Sequence, residues 1–329
     1  MKDQAYRLAV APMIDWTDRH CRAFHRLLSR RVLLYTEMVT APAVIHGDRD
    51  RLLGHDPAEG PVALQLGGAV PGELAAAVRA ARGRGFAEFN LNLGCPSDRV
   101  QSGCFGAVLM KDPGLAGDCV AAMIAEADAE VTVKCRIGVD EQDPELALPA
   151  LIGAVRAAGV RRIIVHARKA WLQGLSPREN REIPPLDYPL VHRMKAAWPD
   201  LHLSINGGIA SLDEVRAQLA IMDGVMVGRA AYHRPWDILG AADRLWDGAP
   251  PFADPVEVAE AMRSRIAAHL AGGGRLHQIT RHMLGLFHGR PGARGWKRAL
   301  SEAGPSGGLG DYDAALAVVS RAAEAVPAG

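Results

Sequence analysis

The sequence predicts an α/β fold: a (β/α)8 barrel over residues 1–248, followed by a small all-helical C-terminal domain over 249–329. Three observations predict it. Eight short β-rich segments recur with helical patterns between them, polar side chains gather at the carboxyl ends of those segments, and past Pro250-Pro251 only helical patterns remain.

The segments run, in order, LAVAPM (8–13), LLYTEMV (33–39), VALQLGG (62–68), EFNLNLGC (88–95), VTVKCRIG (131–138), RIIVHAR (162–168), LHLSINGG (201–208) and GVMVGRA (224–230). Alanine-rich helices at 72–82, 114–127 and 145–158 are among the connectors. A doubly wound open sheet shares this alternation, but its GxGxxG fingerprint follows none of the strands. The helical tail opens near Pro255, with Val258, Met262, Ile266 and Leu270 at fourfold spacing.

With 329 residues, 49% of them apolar, the chain can bury one large core and one small one. Lys and Arg number 38 against 37 Asp and Glu, so the net charge of +1 says nothing of partners until its distribution is read. Five cysteines, Cys21, Cys95, Cys104, Cys119 and Cys135, are odd in number and form no CxxC pair. This argues against a disulfide framework and structural zinc, and a reducing cytoplasm is expected. Neither a charged-then-apolar leader nor an apolar run of bilayer length is visible, so a secreted or membrane-spanning protein is not expected.

In the fourth segment Phe89, Leu91 and Leu93 fall on one face and Asn90 and Asn92 on the other, the period of a strand. Gly94 and Pro96 then turn the chain, which puts Cys95 at the strand's carboxyl end, where barrels keep their reactive groups. A lone free cysteine more often packs as a small hydrophobe; its company decides. Gln65, Asn90, Asn92, Lys134, Arg136, His166, Arg168, Asn206 and Arg229 cluster toward the same ends. In the fifth segment Val131, Val133, Cys135 and Ile137 alternate against Thr132, Lys134 and Arg136, so Cys135 belongs to the helix-facing side and Lys134 points inward. A buried ammonium is costly unless something anionic or electron-rich meets it; the plainer alternative is an ion pair with Glu37 or Asp15. Asn206-Gly207-Gly208 follows the seventh strand and Gly228-Arg229 the eighth, with His166 one strand earlier. These loops are where barrels bind phosphate.

From Ala261 to Leu300 there is no Asp or Glu, while Arg263, Arg265, Arg275, Arg281, Arg290, Arg294, Lys297 and Arg298 supply positive charge. Polyanion binding is the expectation, an ordinary solvated helix face the alternative. Trp296 either stacks on a base or anchors a core.

Carried by APMIDWTD (11–18), ALQLGG (63–68), NLNLGCPS (90–97), VKCRIG (133–138), VHARKA (165–170), INGGI (205–209) and DGVMVGRA (223–230), the chain resembles the tRNA-dihydrouridine synthases over almost its whole length. The insert at 171–188 and the tail at 281–298 look like the A-type subfamily, which acts on uridines 20 and 20a of the tRNA D-loop. The resemblance implies FMN, reduced by NADPH (NADH being possible), with Pro12, Met13 and Ile14 against the flavin ring, Gln65 on its polar edge and Lys134 near N1. His166, Asn206, Gly207, Gly208, Gly228 and Arg229 would hold the phosphate. Hydride would pass from the flavin to uracil C6 and a proton from Cys95 to C5, a step suited to a thiol that ordinarily titrates near 8.5. The base must be turned out of the tRNA to arrive. Asn92, Arg178, Asn180, Arg181, Ile183, Arg294, Lys297 and Arg298 would contact the tRNA. A cytoplasmic monomer without metal or membrane is expected. The alternatives are a flavin-dependent reductase or dehydrogenase of a free pyrimidine, a Schiff-base aldolase using Lys134, and a non-catalytic tRNA-binding protein.

Overall fold

A computed structural model describes residues 6–97, 105–304 and 306–324. Eight strands form the ring: β1 (Leu8–Val10), β2 (Leu33–Tyr35), β3 (Val62–Gly67), β4 (Glu88–Leu93), β5 (Glu130–Arg136), β6 (Arg162–His166), β7 (His202–Asn206) and β8 (Gly224–Val227). Each pairs parallel with the next, and β8 returns to β1 through Leu8↔Val225, Ala9↔Met226 and Val10↔Val227, closing the barrel. A two-residue strand, Val39–Thr40, lies beside the end of β3. The expected (β/α)8 barrel is therefore the observed one.

The chain folds as two compact units. The first comprises Met1–Ile14, Leu33–Ile209 and Asp213–Gly228; the second comprises Asp15–Val32, Ala210–Leu212 and Arg229–Gly329. The sequence reading drew one boundary at 248/249. By contacts the last boundary falls between Gly228 and Arg229, and the helix Arg19–Leu28 that follows β1 groups with the C-terminal helices.

The connecting helices start where their residue types dictate. Pro113–Glu126, Pro144–Ala157 and Pro255–Ala271 each begin on an Asp-Pro pair: Asp112, Asp143 and Asp254 accept a first-turn N–H, and the proline fills a position that has no N–H partner to lose. The barrel interior is apolar in part, with Ala9, Ala11, Leu33, Tyr35, Ala63, Ile164 and Met226 packed together and Tyr6 against them. It also holds a charge. Glu88, fully buried, accepts from Arg162, from the Tyr35 hydroxyl at 2.5 Å and from the Thr132 hydroxyl, while Arg162 reaches Glu130 at 2.9 Å and covers the Tyr6 ring at 3.6 Å.

In the second unit, Trp296 is wholly buried between Phe287 and Tyr312 and donates its indole N–H to the Met283 carbonyl at 3.1 Å. It anchors a core and presents no face to a base. Three of the basic tail residues find carboxylates from distant sequence: Arg263 with Asp313, Arg281 with Asp18 and Arg290 with Asp254. Arg294, Lys297 and Arg298 are exposed on helix Ala293–Glu302, with no ion pair among the described residues.

Candidate active site

Asn92, the last inward polar residue of β4, builds the turn that carries Cys95. Its side-chain oxygen accepts the N–H groups of Gly94 and Cys95, both at 3.0 Å. Its amide nitrogen donates to Gln65 at 2.9 Å, Gln65 donates to Asn90 at 2.8 Å, and Asn90 donates to Thr132 at 2.7 Å. An unbroken line of side-chain hydrogen bonds thus runs from Glu88 to the Cys95 amide. Cys95 is half-buried, with its Sγ 3.4 Å from the Ser97 hydroxyl. Cys21, Cys119 and Cys135 are buried, and burial pushes the Cys135 thiol up to about 12; Cys104 lies outside the described residues.

Across the register, Asn92 faces Lys134, and Arg136, His166 and Asn206 share a level. Lys134 has no hydrogen bond or ion pair among the described residues, so the plainer alternative, a pair with Glu37 or Asp15, is not formed. Burial, then the neighbouring Arg136, brings its ammonium down to about 8. His166 is buried and held well below the ordinary histidine value, first by burial and then by Arg136, Lys134, Arg168 and Arg181, so its imidazole is neutral. No carboxylate is among the strongest influences on either group. Arg136, 3% exposed, donates to the carbonyls of Gly94 (3.1 Å), Lys169 (3.2 Å) and Asn180 (2.8 Å).

Gly207 and Gly208 turn the chain after β7 at φ 114° and 73°. A Cβ on Gly207 would stand 2.6 Å from His166 Cδ2, so only glycine lets the imidazole lie against this turn. Asn206 donates to the Met226 carbonyl at 2.7 Å, and Tyr188 donates its hydroxyl to the Gly207 carbonyl. A Cβ on Gly228 would lie 3.7 Å from Ala11 and 3.8 Å from the Met13 sulfur, which brings the end of β8 beside the segment after β1. Pro12 and Met13 are half-buried there, and Ile14 is 55% exposed. Arg229 opens helix Arg229–His233 of the second unit.

Two residues read from sequence as ligand contacts are buried and hydrogen-bonded within the fold. Asn180 is fully buried: its oxygen accepts from Trp171 N at 2.7 Å, and its amide donates to the carbonyls of Trp171, Leu175 and Ser176. It pins the 171–181 insert from within and offers nothing to RNA. Gln65, 1% exposed, is committed to Asn90 and Asn92 on both ends of its amide. Arg178, Arg181 and Ile183 are exposed on the insert, with Arg178 3.7 Å from Glu182. Sequence reasoning gave no role to Arg136, Tyr188 or the Glu88–Arg162 pair. The signal for the pair was present, because a charged residue in the inward register of a central strand demands a partner. Among the described residues no helix is long and apolar enough to cross a membrane, and no group of three His, Cys, Asp or Glu could hold a metal.

The chain is similar to known proteins over most of its length. A family model described as dihydrouridine synthase matches residues 9–315. The chain is 57% identical over 300 residues to the tRNA-dihydrouridine(20/20a) synthase of Escherichia coli O6:H1, covering 91% of this chain and 90% of that one. It is 51% identical over 318 residues to the protein of that name from Vibrio parahaemolyticus, covering 96% and 97%. Among solved structures, an old yellow enzyme homologue from Zymomonas mobilis shares the barrel with a TM-score of 0.51 at 13% identity, over 77% of this chain and 91% of that one. The match across residues 9–315 and the identity to full-length relatives establish that the chain belongs to the dihydrouridine synthase family, flavin-dependent oxidoreductases.

Proposed function

We propose that this chain reduces the C5=C6 bond of uridines 20 and 20a in the tRNA D-loop, with FMN as its flavin and NADPH as the reductant, as a monomer in the cytoplasm. The barrel residues 1–248 carry the chemistry and residues 249–329 the tRNA-binding helices. One observation carries the reading: a half-buried thiol at the end of β4 beside Lys134, a half-buried cation with no ion pair among the described residues.

The donor set fits FMN. A ring with a polar edge that gains negative charge on reduction, joined to a phosphate, meets the positive charge of Lys134 and the side-chain-free backbone of Gly207, Gly208 and Gly228 after β7 and β8. Bound FMN supplies the hydride for uracil C6. Pro12, Met13 and Ile14 would cover its ring. Lys134 would face it with positive charge, Gln65 would offer its second amide N–H, and His166, Asn206 and Arg229 would hold the phosphate. Neutral His166 donates or accepts there without adding charge. The Cys95 S–H bond breaks as the C5–H bond forms, and the thiolate left behind regains its proton from water. Lys134 stabilises that thiolate as well. Exposed Arg178, Arg181, Ile183, Arg294, Lys297 and Arg298 grip the tRNA.

The test is to reduce the protein anaerobically with NADPH, add tRNA from cells lacking dihydrouridine, and follow flavin absorbance. Rapid reoxidation by that tRNA, but not by tRNA already carrying dihydrouridine, is expected. A flavin that stays reduced overturns the substrate, and colourless protein overturns the redox reading.

A further inference from the structure

The glycine turn after β7 is held by one hydroxyl. Tyr188 opens helix Tyr188–Ala197, which Asp187 caps by accepting Leu190 N at 2.9 Å. Asp187 N in turn donates to the Ala167 carbonyl at 2.8 Å, so the start of this helix is tied to the residue after His166. From there the half-buried Tyr188 ring, stacked on His192, sends its hydroxyl to the Gly207 carbonyl. Burial, then Glu214, raises the pKa of the phenol against the pull of Arg168, so the hydroxyl keeps the proton it donates. A Cβ on Gly208 would stand 2.6 Å from Leu186 Cδ1 and 3.1 Å from the Tyr188 oxygen, so these two side chains close that side of the turn. The Gly207–Gly208 peptide is trans, and in a trans peptide the N–H lies on the opposite side from the carbonyl. Gripping the Gly207 oxygen therefore fixes where the Gly208 N–H points, which is away from Tyr188. Without that grip the peptide can turn over, because glycine on both sides leaves no side chain to oppose the change of ψ at Gly207 and φ at Gly208.

We propose that Tyr188 is a positioning residue for the flavin phosphate: its hydroxyl holds the Gly207 carbonyl so that the Gly208 N–H, on the far side of the same peptide, meets the phosphate oxygens. The proposal rests on the reading above that FMN is the flavin and that this turn takes its phosphate. Tyr188 itself touches no ligand atom. An N–H aimed at a phosphate makes a charge-assisted bond, roughly twice as strong as a neutral one, whereas a peptide that can turn over presents its carbonyl for part of the time and repels the anion. The effect belongs to the phosphate alone, because the residues read as ring contacts, Pro12, Met13 and Lys134, lie after β1 and on β5, away from this turn in the chain.

Tyr188→Phe removes the hydroxyl and keeps the ring with its stacking. The test strips the full-length protein of flavin and follows, by flavin fluorescence, the binding of FMN and of riboflavin, which lacks the phosphate. FMN is expected to bind the variant about tenfold more weakly, and riboflavin to stay within about twofold of its affinity for the unaltered protein. In the variant saturated with FMN, the phosphorus NMR resonance of the bound phosphate should move, while the visible spectrum of the ring and its rate of reduction by NADPH do not. Equal weakening of both ligands would mean that Tyr188 supports the fold and not the phosphate, and unchanged FMN affinity would mean that the turn keeps its orientation unaided. Either result overturns the proposal and leaves FMN in place. If the unaltered protein binds FMN no better than riboflavin, the phosphate reading of this turn falls and the proposal with it. Binding of neither removes the flavin reading altogether.

Discussion

Arg162 donates to Glu88 in the interior of the barrel, with 3% of one side chain and none of the other exposed to solvent. Burial disfavours both charges. Glu88, Tyr35 and Glu130 more than offset it on the arginine side and hold the guanidinium protonated.

Removing one partner strands the other. Arg162→Met should cost about 3–5 kcal/mol, because Glu88 would be left charged and buried with only two hydroxyls. Urea unfolding followed by circular dichroism measures this, and a midpoint like that of the unaltered protein would refute it.

His25 predicts the direction of acid sensitivity. It is buried in helix Arg19–Leu28, with the Cys21 sulfur 3.6 Å from Nε2, and burial, helped by His282 and Arg26, lowers its pKa to about 3. Below about 6.5 the unfolded chain takes up a proton that the folded chain refuses until near pH 3. Stability must therefore fall as pH drops through that window, by at most about 1.4 kcal/mol per unit from this group. His25→Gln should show a shallower decline between pH 6 and 4 in urea midpoints; identical slopes would remove His25 from the account.

Cys95→Ala should keep its flavin and its tRNA affinity and accept electrons from NADPH at the normal rate, yet reduce uridine roughly a hundredfold more slowly. Stopped-flow absorbance separates the two half-reactions. Slowing of both would point to a disturbed flavin site instead.

The paired substitution Arg294→Ala and Lys297→Ala removes two exposed cations from helix Ala293–Glu302 and no side-chain hydrogen bond among the described residues. tRNA affinity should fall, and its dependence on salt should flatten by up to roughly two units of log–log slope, with flavin reduction untouched. Filter binding across a salt series reads the slope; an unaltered slope would take these residues out of the interface.

Much of this was written in the chain at short range. Phe89, Leu91 and Leu93 against Asn90 and Asn92 specify a strand, its two faces and the turn that bears Cys95, because a period of two is a local property. The role of Asn180 was not legible, because an Asn amid charged insert residues looks like surface and only the folded loop shows it satisfying three carbonyls; for Trp296 the sequence left base stacking and core anchoring open, and its enclosure by Phe287 and Tyr312 decides for the core. The acid-free tail was legible only in part for the same reason. Asp18 and Asp313, which neutralise Arg281 and Arg263, lie outside that stretch, and Asp18 is near the other end of the chain.

That distance bears on how the protein is made. Helix Arg19–Leu28 belongs with helices that begin only at Arg229, so during synthesis Phe24, His25 and Leu28 emerge from the ribosome long before the surfaces that will cover them. The second unit cannot close until the helices from Arg229 onward have been made, and a fragment released before then carries an uncovered apolar helix face that chaperones and proteases recognise.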